Sequence, residues 1–432
     1  MIGRFGFSPR ALWRKVVPVA VAAVLTGTAG AFFLWALDAV TRVRISHPGW
    51  LWALPVLGWA VAVLYQKAGG RSERGTGLIL DEVHEPGGGV PARMAPLILL
   101  GTLATHLGGG SAGREGTAVQ MGGALAAGTG RWLRGLPENH AGLLMAGVAA
   151  GFGAVFGTPW AGAVFAVEVL RRKTGRMGEW PWCLGAAWLA DRVCHAWGAR
   201  HAVWPEGMSL PLTSVPVWWK LAAAAVCFGL LARVFVKAAH GLQGWLKRLV
   251  PRAELRPVLG GLGVIALVYV SGTRDFLGLG TLPTTPGGLC LGSFFQEGVG
   301  LGAGAGPGLG AGPGLGSGME AVTWAWAWKL LFTLMTVGFG FKGGEVTPLF
   351  FMGASLGHSL SGWWGLPGPP LAALGMVAVF GAAARTPWTC VVMGMELFGP
   401  GLALPLAVVC LLAAACNARG LYHPPVLTRG SV

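Results

Sequence analysis

The chain has 432 residues, of which 53% are hydrophobic and only 11% charged, and its mean hydropathy is +0.60, too apolar for an ordinary soluble domain. The net charge of +15 raises a nucleic-acid partner. However, the Lys and Arg residues fall between apolar segments, as the positive-inside rule gives, with anion attraction as a second cause. The seven cysteines are scattered singly with no C-x-x-C, which argues against a disulfide framework or a cysteine zinc site.

The first apolar run, residues 16–37, follows Arg4, Arg10, Arg14 and Lys15. Thr28-Ala29-Gly30-Ala31 resembles a cleavage site, yet the run continues through Phe32-Phe33-Leu34-Trp35, too long for a signal peptide. A membrane helix with a cytoplasmic N-terminus is predicted. Further apolar runs cover 50–65, 143–169, 221–231, 258–270, 330–337, 371–379 and 402–415. Several are shorter than the roughly 20 residues a bilayer core needs, and Gly or Pro interrupts many. Short, broken segments suit a transporter whose irregular backbone lines a polar path.

Residues 75–84, Gly75-Thr76-Gly77 onward, read as a turn followed by a charged helix face. The chain is organised around 108–123, Gly-Gly-Gly-Ser-Ala-Gly-Arg-Glu-Gly-Thr-Ala-Val-Gln-Met-Gly-Gly. An apolar segment, 95–107, leads into it and another, 118–127, leaves it. It carries one acid, Glu115, and an ionisable group at membrane depth is a functional hypothesis by default. A helix starting near Gly116 would aim unpaired N–H groups at a ligand. The expectation is a broken helix with an anion site at its N-terminal end. Glu115, ionised, would compete with the anion there; protonated, it would leave. Its bland alternative is an ion pair with Arg114. The likeness of 108–114 to a phosphate loop fails, because Arg114-Glu115 replaces Lys-Ser/Thr. Of nine histidines, His84 and His106 lie near these motifs, but no pair has metal-ligand spacing on one helix.

An internal repeat follows. Gly147 pairs with Gly375, Gly153 with Gly381, Thr158-Pro159-Trp160 with Thr386-Pro387-Trp388, and Glu168 with Glu396, at one constant offset. At nearly that offset Glu115-Gly116-Thr117 matches Glu345-Val346-Thr347, and Met121-Gly122 matches Met352-Gly353. Arg171, Arg172, Lys173 and Arg176 follow the first copy, while uncharged Phe398-Gly399-Pro400-Gly401 follows the second. Opposite basic flanks imply an inverted repeat with its ligand where the halves meet. Residues 302–318, low-complexity Gly/Ala/Pro/Leu, read as a loose connection. In Gly344-Glu345-Val346-Thr347-Pro348, Pro348 fits an early helical position. Thr347 is an N-cap or a ligand hydroxyl, and Glu345 is a second intramembrane acid, a relay or a partner of Lys342. Tyr422 offers a single uncharged donor or an interfacial anchor.

These residues resemble the CLC family of anion channels and proton-coupled antiporters over roughly residues 70–170 and 335–425. Gly113-Arg114-Glu115-Gly116 corresponds to the family's gating-glutamate motif. Gly344–Pro348 corresponds to the second-half helix start, Gly75-Thr76-Gly77 to the first anion loop, and Tyr422 to the central tyrosine. The resemblance is to the fluoride-exporting subgroup. Thr117 stands where chloride-type members have proline, Val169 where chloride antiporters have a proton-accepting glutamate, and Glu345 with Thr347 match the fluoride-type core. Arg93-Met94-Ala95-Pro96 and Thr105-His106-Leu107 also look like that subgroup, whereas Thr76 replaces its frequent methionine or asparagine.

The resemblance implies an all-α membrane protein with an inverted-topology repeat of partly broken helices. It would be one transmembrane domain over 1–432, with halves of about 16–200 and 215–425 and no soluble regulatory domain. It implies a multi-pass homodimer in the inner (plasma) membrane, with fluoride, protons and the lipid bilayer as partners. Glu115 would carry the proton, and Glu345 would serve coupling or selectivity. Thr76, Gly113, Gly116, Thr117, Val346, Thr347 and Tyr422 would hold the ion. No cofactor is expected beyond a structural sodium ion of the kind found in related fluoride-type members. The expected function is fluoride/proton antiport that expels cytoplasmic fluoride. A chloride/proton antiporter and a passive chloride channel are the alternatives. An enzyme is not expected, for want of a cofactor, nucleophile or metal signature.

Overall fold

The computed structural model describes residues 9–133, 140–170, 177–285, 287–296 and 318–422. Its regular structure there is helical, without named strands. The first stretch gives α1 (Pro9–Ser46), α2 (Leu54–Leu64), α3 (Thr76–His84), α4 (Met94–Leu107) and α5 (Glu115–Trp132). The apolar run at 143–169 becomes two helices, α6 (His140–Phe156) and α7 (Pro159–Val169), and α8 (Trp180–Ala196) follows. Then come α9 (Val215–Leu249), α10 (Leu255–Ser271), α11 (Gly318–Thr333), α12 (Val346–Trp364), α13 (Gly368–Ala384), α14 (Pro387–Phe398) and α15 (Ala403–Ala415). The basic cluster after Glu168 lies outside the described residues, as does the 302–318 stretch up to Gly318, which opens α11.

Three described stretches are long and apolar enough to cross a bilayer: Trp13–Ser46, Pro48–His84 and Val215–Leu249. α9 shows why. Trp219, Val226, Leu230 and Val234 are exposed, while Phe228, Leu231, Ala232 and Phe235 on the other side are buried. An apolar helix with one apolar stripe left bare is built for lipid on that side. Residues 75–84 depart from the expected charged face. Leu78, Ile79, Leu80 and Val83 are buried, and so is Glu82. The Glu82 carboxylate accepts the N–H groups of Gly87 (3.0 Å) and Gly88 (3.2 Å) and has Arg71 at 3.7 Å. A buried charge persists only when so paired.

The chain forms two compact units. The first gathers the described residues up to Leu34, Arg71–Pro96 and Ala118–His201. The second holds Trp35–Gly70, Leu97–Thr117 and the described residues from Ala202 onward. In the first unit α6 packs on α3, α7 and α8. In the second, α13 packs on α9, α12, α14 and α15.

The internal repeat reappears as packing. In the first unit Gly147 faces Gly122: a Cβ on Gly147 would lie 2.5 Å from the Gly122 carbonyl oxygen. In the second unit the matching residues, Gly375 and Gly353, each face the other's carbonyl oxygen at a distance no Cβ tolerates. Glycine at such crossings lets helix backbones touch, as in membrane bundles generally. The prolines repeat too. Pro159 and Pro387 open α7 and α14, where a missing N–H costs nothing. Before them the backbone turns left-handed at Gly157 (φ +72°) and at its counterpart Arg385 (φ +59°). Arg385 repays that unfavourable conformation with a hydrogen bond from Nη1 to the Ala418 carbonyl, 2.7 Å.

Candidate ion site

Two helix starts meet in the second unit. The strand-like residues before α5 and α12 form a single antiparallel bridge, Gly113 with Gly344. Gly113 N–H donates to the Gly344 carbonyl (2.5 Å) and Gly344 N–H to the Gly113 carbonyl (2.8 Å). Only glycine fits. A Cβ on Gly344 would lie 2.7 Å from the Gly116 nitrogen, and one on Gly113 would lie 2.6 Å from Glu115 Oε2. Gly116 is pressed less closely, its Cβ position being 3.1 Å from Gly344 Cα.

The loop before α5 is fixed from behind. His106 is buried, with Nδ1 against the Thr102 carbonyl (2.8 Å) and Nε2 against the Ala112 carbonyl (3.1 Å). Ser111 N–H donates to Thr336 Oγ1 (2.9 Å), and Ser111 Oγ pairs with Thr333 Oγ1 (3.0 Å). Thr117, on the first turn of α5, pairs its hydroxyl with Thr102 at 2.6 Å.

Glu115 sits at the centre and is only 2% exposed. Its Oε2 accepts the Thr347 N–H (3.2 Å) and the Arg114 N–H (3.0 Å), and its Oε1 accepts the Thr347 hydroxyl in a very short hydrogen bond. Arg114 Nε stands 3.8 Å from Oε1, so the bland Arg114 pairing is present as one contact among several. Thr347 does not cap α12. The capping position belongs to Glu345, which makes no side-chain cap bond, and the Thr347 hydroxyl goes to Glu115. Val346 is buried beside it and Pro348 lies within the first turn, as expected.

Glu345, at the start of α12, and Tyr422, near the end of the described chain, lie in the same unit. Lys342 places its ammonium 4.1 Å from the centre of the Tyr65 ring. Thus Gly113, Glu115, Gly116, Thr117, Glu345, Val346, Thr347 and Tyr422 belong to the second unit. Thr76 belongs to the first, where its hydroxyl accepts from Gln120 Nε2 at 3.3 Å.

The arrangement has a plain chemical reading. A carboxylate lies across the N-terminal end of α12, taking donors that would otherwise face any anion there. Each charge-assisted hydrogen bond is worth ~1.5–3 kcal/mol. Three of them are of the same order as the several kcal/mol it costs to bury one ion. An acid can therefore be lodged here and also released on protonation.

Sodium needs a cage of oxygens. Such oxygens converge in the second unit at the carbonyls of Phe276 and Gly278, but the fully buried Lys329 ammonium takes both, at 3.0 and 2.8 Å. A second cation does not fit there.

Sequence reasoning missed the supporting hydroxyls, Thr102, Thr333 and Thr336. Threonines three or four residues apart on apolar helices were the available signal.

Residues 54–418 match the family described as voltage gated chloride channel. A "Chloride/fluoride channel protein" of Pseudomonas syringae pv. tomato is 41% identical, over 93% of this chain and 84% of that protein. The "H(+)/Cl(-) exchange transporter ClcA" of Cronobacter sakazakii is 26% identical, over 92% of this chain and 86% of its own. Among solved structures, one described as a CLC-type fluoride/proton antiporter superposes with a TM-score of 0.85 at 31% identity, covering 96% of this chain and 98% of its own. A slow cyanobacterial Cl-/H+ antiporter shares the fold, with a TM-score of 0.76 at 20% identity over 95% and 96%. With its family model matched across both copies of the repeat, the chain belongs to the voltage-gated chloride channel, or CLC, family of membrane proteins.

Proposed function

We propose that this protein is a fluoride/proton antiporter of the inner (plasma) membrane, working as a homodimer and expelling cytoplasmic fluoride against inward protons. One observation carries the reading: Glu115 occupies the donors of the α12 N-terminus. Proton and anion then exclude each other by turns. Ionised, Glu115 holds the Thr347 N–H and hydroxyl. A proton on its oxygen removes the charge that those donors favour, the side chain swings away, and fluoride takes its place. Fluoride is small and strongly hydrated, so it needs close donors to replace its water. The Thr347 hydroxyl, the α12 N–H groups and the Tyr422 phenol supply them. Glu345, at the capping position of α12, tunes the exchange. The 31%-identical structure described as a fluoride/proton antiporter supports this reading.

A passive fluoride or chloride channel is the second reading, favoured by the name of the 41%-identical relative. Proteoliposomes with fluoride and pH electrodes separate the readings. An imposed fluoride gradient is expected to drive protons uphill in wild type, and Glu115→Gln to abolish that proton movement. Fluoride flow without uphill protons would leave a channel, and equal fluoride and chloride rates would leave a chloride exchanger.

A further inference from the structure

Away from the ion site, three metal-ligating side chains converge in the first unit. Asp191 and His195 lie four residues apart on α8 and so share one helix face. His201 follows five residues beyond the end of α8. One ligand atom from each lies within 4.8 Å of the others.

Each member is oriented. His195 places Nδ1 3.0 Å from the Asp191 backbone carbonyl, which holds the ring beside the Asp191 carboxylate. His201 donates from Nε2 to the Ala154 carbonyl on α6 (2.8 Å), so Nδ1 carries its lone pair. Imidazoles with one nitrogen tied to a backbone carbonyl are the form in which proteins present histidine to metals. Asp191 is the third. Its side chain is 6% exposed, and its Oδ1 is buried, makes no hydrogen bond of good geometry and has His195 Nδ1 at 3.3 Å. A buried carboxylate oxygen left short of hydrogen bonds is costly and points at something it would bind. His195, by contrast, is half exposed, so an ion has a way in. Gly157 makes room: with its left-handed backbone, a Cβ there would lie 2.7 Å from His201 Cγ.

We infer that Asp191, His195 and His201 form a site for a borderline divalent transition-metal ion, of the zinc or cobalt class. Two imidazoles and one carboxylate suit that class, and not the all-oxygen preference of sodium, calcium or magnesium. Three protein ligands leave a fourth position to water. The bound ion ties the end of α8 to the turn between α6 and α7, where the first copy of the repeat begins its Thr158-Pro159-Trp160 motif.

The test uses the full chain in detergent, free of any affinity tag and stripped with chelator, titrated with zinc by calorimetry and with cobalt(II) by visible absorption. Wild type is expected to take one zinc per chain and to give cobalt bands of a four-coordinate site. Asp191→Asn and His195→Ala should each lower zinc affinity by more than the ~10–100-fold typical of losing an outer-shell partner. His47→Ala, at an exposed position, should leave affinity unchanged. His195→Ala changes a half-exposed residue and will fold. Should Asp191→Asn fail to fold, His201→Gln takes its place. No zinc binding by wild type, or undiminished affinity in either ligand variant, overturns the site.

Discussion

The hydroxyl of Thr347 serves two masters in turn, since it donates to Glu115 while the acid is lodged and would donate to fluoride when the acid has gone. Its removal should therefore weaken both and show little in wild type. It should show clearly in a Glu115→Gln background, where the competitor has lost its charge. Thr347→Val keeps the side-chain shape and removes one charge-assisted hydrogen bond of ~1.5–3 kcal/mol. Fluoride binding by Glu115→Gln is thus expected to weaken ~10–100-fold on adding Thr347→Val, as read by calorimetry. Equal fluoride affinities in the two proteins would remove Thr347 from the site.

At the scale of elements, the site depends on glycine where two loops cross. Gly344→Ala places a methyl 2.7 Å from the Gly116 nitrogen, so the Gly113–Gly344 bridge must open. Two backbone hydrogen bonds are lost, each worth ~0.5–1.5 kcal/mol net. The α5 and α12 starts then drift by more than an ion site tolerates. Fluoride transport should fall at least ~10-fold, with circular dichroism unchanged; full activity would show the bridge to be incidental. The helix crossing at Gly375 is a matter of stability instead. Its approach to the Gly353 carbonyl leaves no space for a methyl, and overpacking of this kind costs ~1–3 kcal/mol. Gly375→Ala should lower the thermal midpoint in detergent, and Gly147→Ala, its partner in the repeat, should do likewise. An unshifted midpoint in both would mean that the helices separate freely.

At the scale of the whole molecule, the exposed apolar side chains require a partner phase. Phe32, Trp35 and Trp59 on the early helices and Val226, Leu230 and Val234 on α9 are exposed. In the proposed membrane homodimer, lipid covers one part of such surfaces and a second copy another. Light scattering in detergent should give a protein mass twice the 44.6 kDa of one chain. A single-chain mass at all concentrations would remove the dimer.

The sequence by itself determined more of this protein than is usual, because a bilayer narrows the choices. Apolar runs can only be helices there, so α4, α9, α10, α13 and α15 were legible from hydropathy. The repeat was legible because Gly147, Pro159 and their counterparts Gly375 and Pro387 answer local backbone demands that few other residues meet. Glu115 stood out because an acid in an apolar run is expensive. What only the tertiary structure decided are pairings between residues far apart in the chain. Among them are the bridge from Gly113 to Gly344, the use of Thr347 as a donor to Glu115 rather than as a cap, and the clamp of His106, Thr333 and Thr336 on the 108–114 loop. The burial of Glu82 and the convergence of His201 on Asp191 and His195 are others. Hydrogen bonds are short-ranged and directional, so their partners are set by how helices cross, and a one-dimensional pattern of residue types carries no record of that.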